Sequence, residues 1–268
     1  MSDGSDLAWL GLERHDATRW SFELRSGLTR PDGKLFGGTG LAAMVAIAEA
    51  ETGRDLLWST VQFVGSAELG ERIDCELEVL AGGRRTSQVR FTASVGERIV
   101  LAGVGSAGLP RDNAVDGQMP VFPDVVAPDD APPWGRHGAA GVDADSDGAA
   151  APMGWMQHAE LRQASASGSM WARAKGGRHS RATIAFIADM VPTSVVRAIG
   201  LVGGGTSLDN SVRYGRLVDT EWVLLDMDPW LASGGYLHGG ARIWSRDGVL
   251  LGVASQTAAA MAWPPPTA

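Results

Sequence analysis

Hydrophobic and polar residues alternate along several stretches of the chain, as they do in half-buried strands. In "ERIDCELEVL", Ile73, Cys75, Leu77 and Val79 fall on one face, and the charged residues between them fall on the other. Residues 86–95 alternate in the same way, and "GERIV" and "SRDGVLL" supply hairpin turns. The pattern predicts antiparallel strands joined by tight turns.

Two other stretches carry apolar residues at helical spacing. A glycine follows each of them, Gly53 after the first and Gly200 after the second, and glycine is a common residue just past a helix end. The repeating apolar positions are Leu41, Met44, Val45 and Ala48 in the first stretch and Val191, Val195, Val196 and Ile199 in the second. We therefore predict one apolar helix in each half of the chain.

The two halves resemble each other at a constant shift of about 150 residues. "LFGGTGLAAMVAI" corresponds to "AFIADMVPTSVVR", "STVQFVG" to "NSVRYGR", and "GERIVLAGVGSA" to "RDGVLLGVASQT". Each half runs strand, helix, then antiparallel strands. This order predicts an α+β fold, a tandem (double) hot-dog, in which each unit is an antiparallel sheet wrapped around one long helix. In hot-dog folds two units usually pair edge to edge, and active sites lie at the seam between them.

Residues 110–153 interrupt this repeat with a segment rich in Pro, Asp, Ala and Gly, in which no helix or strand period survives. We predict a linker that wraps the surface or is partly disordered. It joins an N-terminal unit, residues 1–109, to a C-terminal unit, residues 154–268.

Composition narrows the class of protein. The chain has 268 residues, 44% of them hydrophobic and 20% charged, and a formal net charge of −8. This charge argues against a general nucleic-acid binder, which must neutralise phosphates. The single cysteine, Cys75, excludes an intrachain disulfide, and no apolar run is long enough to cross a bilayer. Acidic residues near the start are unlike a secretory signal, so a cytoplasmic location is expected.

Asp189 is unusual because its carboxylate directly follows the apolar stretch "IAFIA", which is typical of a buried segment. A buried carboxylate must be paired with a neighbouring group or must have a functional role in a site. It is predicted to lie at the first turn of a helix, where unpaired backbone amides stabilise negative charge. A helix cap and a general base are both open from the residues alone.

Three motifs resemble the acyl-CoA thioesterase II type of double hot-dog acyl-CoA thioesterases. "LFGG" is similar to that family's "VFGG", "TSLDNSVRY" to its "ATIDHSMWF", and "LLGVASQTAAAM" to its "LVASTVQEGVM". The family's catalytic set is an Asp, a Thr or Ser, and a Gln. The resemblance places this set on Asp189, Ser207 and Gln256, with Thr206 as the hydroxyl residue if the register slips by one.

The sequence also departs from the family pattern. Asn210 stands where the family has His, Arg213 and Tyr214 replace an aromatic pair, and no Glu follows Gln256. A changed acyl preference, or a weak or different activity, is open on these grounds.

The chemistry of the residues is consistent with thioester hydrolysis. A shielded Asp189 can deprotonate water, while the hydroxyl of Ser207 and the amide of Gln256 can hold that water. No G-x-S-x-G elbow is present, which favours direct attack by water. Gly37 and Gly38 allow a close backbone approach to the thioester oxygen.

The basic stretch around Arg178 and Arg181 is most often a solvated face, but it also suits the phosphates of coenzyme A. In the first unit the positions of Asp189 and Gln256 are occupied by Thr39 and Ser106, so one composite site per chain is expected.

The predicted function is therefore an acyl-CoA thioesterase that takes acyl-CoA as a small-molecule substrate. The alternative is a non-catalytic acyl-CoA or lipid-binding double hot-dog protein. A hydratase is less favoured because "ADMVPTSVV" contains no histidine. No cofactor and no metal are expected, nor is a nucleic-acid partner or membrane insertion, and a homo-oligomer is expected because hot-dog sheets commonly stack.

Overall fold

The computed structural model describes residues 5–112, 115–134, 154–175, 179–200 and 203–262. The helices are α1 Ser5–Leu10, α2 Gly37–Thr52, α3 Arg181–Ile187 and α4 Val191–Ala198, with 3₁₀ turns at Ser26–Leu28 and Gly154–Gln157. The strands are β1 Glu13–Arg14, β2 Arg19–Glu23, β3 Asp55–Phe63, β4 Arg72–Gly82, β5 Thr86–Val95, β6 Arg98–Gly108, β7 Ala159–Gln163, β8 Met170–Ala174, β9 Gly203–Tyr214, β10 Val223–Ser233, β11 Tyr236–Ser245 and β12 Leu250–Ala262.

In the described residues the strands form one 12-stranded sheet in the order β1-β2-β4-β5-β6-β3-β9-β12-β11-β10-β8-β7. The pairings are antiparallel, as predicted. The strands of the first half lie on one side and those of the second half on the other. The two sets meet where β3 pairs with β9, which we call the seam.

Strand β4 confirms the alternating pattern over most of its length. Ile73, Cys75 and Leu77 are buried, while the residues between them are exposed. Val79, the next residue of this series, is 46% exposed. The pairing with β5 shifts just after Val79, so the end of the strand leaves the regular register that would have kept this side chain inside.

Helix α2 is buried on all sides from Gly38 to Glu49, because its sequence is apolar all round rather than on one stripe. It ends where predicted. Gly53 adopts a left-handed conformation with φ 62°, and its N–H donates to the carbonyl of Glu49. The helix lies between the sheet and α3, so both halves of the chain cover it.

The second half does not contain the single long helix that was predicted. Helices α3 and α4 are separated by a turn, residues 188–190, although α4 does end just before Gly200 as expected. Pro192 lies in the first turn of α4. Proline has no N–H to donate to the preceding turn and its ring clashes there, so the hydrogen-bond ladder of α3 cannot continue through this position.

The longer described part of the predicted linker, residues 115–134, packs on the second half. The ring of Phe122 contacts Trp171 and Trp244, and Arg246 forms an ion pair with Asp129. No helix or strand forms in residues 115–134, apart from an isolated bridge at Pro133. The remaining linker residues, 113–114 and 135–153, lie outside the described residues. Where the structure describes a helix, that helix is too short or too polar to span a membrane.

Candidate active site

Asp189 lies in the turn between α3 and α4, and only 9% of it is exposed. Its carboxylate accepts three hydrogen bonds from three separate elements. Oδ2 accepts from the backbone N–H of Gly38 at 2.9 Å, while Oδ1 accepts from Asn210 Nδ2 at 3.0 Å and from Gln256 Nε2 at 2.5 Å. The site therefore joins the start of α2 to strands β9 and β12 across the seam.

The two glycines at the start of α2 make this approach possible. A Cβ at Gly38 would lie 2.1 Å from the carbonyl oxygen of Phe186, and one at Gly37 would lie 2.5 Å from Asp189 Oδ2. Only a residue without a side chain fits at these distances. The N–H of Gly38 binds Asp189, so in this arrangement it is not free to face a thioester oxygen as we had expected.

The predicted position of Asp189 in its own helix is wrong. The N-cap of α4 is Met190, which makes no side-chain capping bond. Asp189 instead accepts from the first turn of α2, a helix of the other half, where the free N–H groups and the helix dipole favour a negative charge. Asp189 therefore accepts a hydrogen bond at a helix start, but that helix is α2 of the other half and not its own, and its role as a general base stays a prediction.

Gln256 links the carboxylate to the predicted hydroxyl group. Its Nε2 donates to Asp189 and also to Ser207 Oγ, at 2.7 Å. Both amide protons are then used. Since Ser207 accepts from Gln256, its own proton remains available to donate.

A β-bulge decides which hydroxyl residue belongs to the site. The pairing of β9 with β12 steps from Asp209 to Ser207, so Leu208 has no partner. The extra residue turns Ser207 to the inner face that Asn210 also occupies. Thr206 is exposed, and its Oγ1 lies 3.0 Å from Met261 Sδ. Ser207 is thus in contact with Gln256 of the site, whereas Thr206 Oγ1 contacts Met261 outside it.

Asn210 is the site residue that sequence reasoning missed. It is wholly buried, and it contacts Asp189 directly. The available signal was its place in the "TSLDN" motif, one position after Asp209, where we noted only a departure from the family's His.

Burial raises the pKa of Asp189 from 3.8 to about 6. The hydrogen bonds from Asn210, Gln256 and Gly38 and the charge of Arg30 act in the opposite direction, because each favours the ionised form. A carboxylate with this pKa is largely ionised at neutral pH and still binds a proton well. It has the proton affinity that a general base needs.

A groove of about 1390 Å³ lies between the two halves, and none of Gly38, Asp189, Ser207, Asn210 and Gln256 is among its lining residues. Its lining includes Trp9, His158, Phe186 and Ile187, and the last two come shortly before Asp189 in the chain. Glu49, Asp55, Arg181 and Tyr214 also line it. The groove is large enough, and its lining mixed enough in polarity, to take a ligand with both apolar and polar parts.

Arg181 is ion-paired across the seam rather than free. Its guanidinium lies 3.7 Å from Glu49 Oε1 and 3.1 Å from Asp55 Oδ2, and 15% of its side chain is exposed. Binding of coenzyme A phosphates by this residue stays a prediction, and these two carboxylates weigh against it. Arg178 lies outside the described residues. In the part of the chain that is described, no group of three or more His, Cys, Asp or Glu side chains could hold a metal ion.

Two family models match the chain. The model of the acyl-CoA thioesterase N-terminal domain matches residues 26–108, and that of the acyl-CoA thioesterase C-terminal domain matches residues 120–260. No curated protein matches the sequence.

Solved structures give the same picture. A candidate thioesterase from Novosphingobium aromaticivorans has 29% identity and a TM-score of 0.81, covering 94% of this chain and 98% of that one. The tesB protein of Mycobacterium avium subspecies paratuberculosis has 23% identity and a TM-score of 0.76, covering 99% and 100%. A hot-dog protein of unknown function from Alicyclobacillus acidocaldarius has 20% identity and a TM-score of 0.79, covering 97% and 99%. The chain therefore has a hot-dog thioesterase fold, belongs to the acyl-CoA thioesterase family and is a thioester hydrolase.

Proposed function

We propose that this protein hydrolyses acyl-CoA to a free acid and coenzyme A by direct attack of a water molecule that Asp189 activates. One observation carries the proposal. A buried carboxylate with a pKa of about 6 is held at the seam by three N–H donors, and Phe186 and Ile187, which precede it in the chain, line a groove large enough for a substrate.

The proposed reaction uses the carboxylate of Asp189, the hydroxyl proton of Ser207 and the amide oxygen of Gln256. The water oxygen attacks the thioester carbonyl carbon while Asp189 takes one of its protons. The tetrahedral intermediate then expels the coenzyme A thiolate, and Asp189 returns the proton to the sulfur. Ser207 has a proton free to donate, and Gln256 Oε1 is a buried acceptor without a partner among the described residues, so together they orient the water.

The tandem arrangement of two hot-dog units, at the boundaries given above, is part of the proposal. The strand order supports it, since β2-β4-β5-β6-β3 in the first half corresponds to β8-β10-β11-β12-β9 in the second. The matching positions of the first half carry no acid. Thr39 donates to the carbonyl of Leu28, and Ser106 donates to Gln88. One site per chain follows, with α2 from the first unit and Asp189 from the second.

The test is a hydrolysis assay of the purified chain with short, medium, long and aromatic acyl-CoAs. We expect turnover with at least one class, and a loss of more than about 100-fold in kcat for Asp189→Asn, because the general base is removed. Asp209→Asn is the matched control. Asp209 lies on the same strand but accepts from the N–H of Thr257, outside the site.

Retained turnover in Asp189→Asn would contradict the mechanism. Binding of acyl-CoA without cleavage of any class would favour the non-catalytic alternative.

A further inference from the structure

Asn210 occupies a position that fold stability alone does not explain. Its side chain is wholly buried where β9 pairs with Val61 of β3 on one side and with Gln256 of β12 on the other. Its Nδ2 donates to Asp189, whereas its Oδ1 is buried without a partner among the described residues. A buried acceptor without a partner costs about 1–3 kcal/mol, so an apolar residue would suit the sheet better here.

We infer that Asn210 is a positioning residue of the proposed reaction, whose amide nitrogen holds the Asp189 carboxylate in the orientation from which it receives the proton of water. The inference rests on the proposed function and extends it. In this contact Asn210 donates to the same oxygen as Gln256, while Gly38 binds the other oxygen. The three donors come from three elements, so they fix both the rotation and the tilt of the carboxylate.

An amide suits this position because it has no charge to lose or gain. Asn210 stays neutral at every working pH, so only one proton is exchanged at the site. Among the causes that favour ionised Asp189, its hydrogen bond is the largest, and the nearby charge comes from Arg30. The other groups in contact with the carboxylate, Gly38 and Gln256, are neutral.

The test compares Asn210→Ala, which removes the donor, with Asn210→Asp, which has the same shape but places a second carboxylate beside the first. For Asn210→Ala we expect kcat to fall about tenfold or more with KM within about threefold, because orientation is lost and binding is not. The acid limb of the rate profile should move to higher pH by about one unit. For Asn210→Asp it should move further, because two like charges cannot both ionise at this distance.

Ser211→Ala is the matched control. Ser211 is the next residue on β9 and donates to Thr60 across the seam, outside the site. Its removal should leave both kcat and the acid limb unchanged. The folded fraction of every variant is measured by circular dichroism, and rates are expressed per folded molecule.

An acid limb that stays in place in both Asn210 variants, with rates per folded molecule equal to wild type, would overturn the inference. It would leave the general-base proposal intact. Full activity in Asp189→Asn would instead overturn the general-base proposal and this inference with it.

Discussion

At the scale of single residues, the site depends on the burial of one carboxyl group. Burial moves the pKa of Asp189 to about 6, and the three hydrogen-bond donors keep it from rising further. The sequence identified Asp189 and Gln256 through their motifs. It did not decide between Thr206 and Ser207, because a bulge at Leu208 interrupts the alternation on which such a decision rests.

The rate profile of the wild-type enzyme should report this ionisation. Below about pH 6, Asp189 is protonated and cannot accept a proton from water. We expect kcat/KM to rise with pH, with a midpoint near 6, and to level off above it. Steady-state assays between pH 4.5 and 8.5, a range set around that midpoint, check this. A midpoint near the ordinary pKa of 3.8 would contradict the assigned cause.

The same group should make stability depend on pH. Its pKa is higher in the folded state than the ordinary value of 3.8, so between about pH 4 and 6 the unfolded chain loses its proton first. The folded state is then progressively destabilised as pH rises, by on the order of 3 kcal/mol in all.

Asp189→Asn lacks this effect, so the free energy of unfolding of the wild type relative to the variant should fall between pH 4 and 6.5. Urea titrations of both proteins measure it, and the other carboxylates cancel in the difference. A difference that is independent of pH would contradict the expectation.

At the scale of secondary-structure elements, the alternation in β4 and the helical spacing of apolar residues in α2 were sufficient to predict both elements, and Gly53 was sufficient to predict the end of α2. The break between α3 and α4 was missed, although Pro192 was visible, because the valines around it continue the helical period. The packing of α3 against the start of α2 could not be predicted from the sequence either. Gly37 and Gly38 indicate that some group approaches the backbone closely, but they do not indicate which one.

Gly38→Ala tests that docking. In an ordinary helix this change stabilises by about 1 kcal/mol. Here the new methyl group would meet the carbonyl of Phe186, which is backbone and cannot move aside, so we expect a loss of about 2–3 kcal/mol and of activity. In Gly40→Ala the obstacle is the end of the Leu101 side chain, which can rotate. Thermal and urea unfolding measure the change in stability of both variants. An equal loss of stability in Gly38→Ala and Gly40→Ala would contradict the explanation.

At the scale of the whole molecule, the seam both joins the halves and assembles the site. Strands β3 and β9 pair there, α2 packs on α3, and Arg181 of the second half bridges Glu49 and Asp55 of the first. The tandem hot-dog pattern predicted from the internal repeat included such a seam. It did not predict that the predicted phosphate-binding arginine is held there, because the partner carboxylates lie over 100 residues away.

Arg181→Met separates the two roles of this residue. Glu49 is 8% exposed, and burial already raises its pKa. Losing its partner should cost about 3 kcal/mol of stability, with KM little changed. Arg98→Met, which breaks a surface pair with Glu71, should cost under about 1 kcal/mol. A raised KM at unchanged stability would restore the phosphate-binding role.

In the proposed function the first half, whose Thr39 and Ser106 form local hydrogen bonds, adds no second site, so the number of active sites equals the number of chains and not the number of units. Titration with a tight, slowly released inhibitor should saturate at one equivalent per polypeptide. With the one site per chain that we propose, a sigmoidal response to substrate concentration would originate between separate polypeptides, because the described residues of one chain supply a single proposed site.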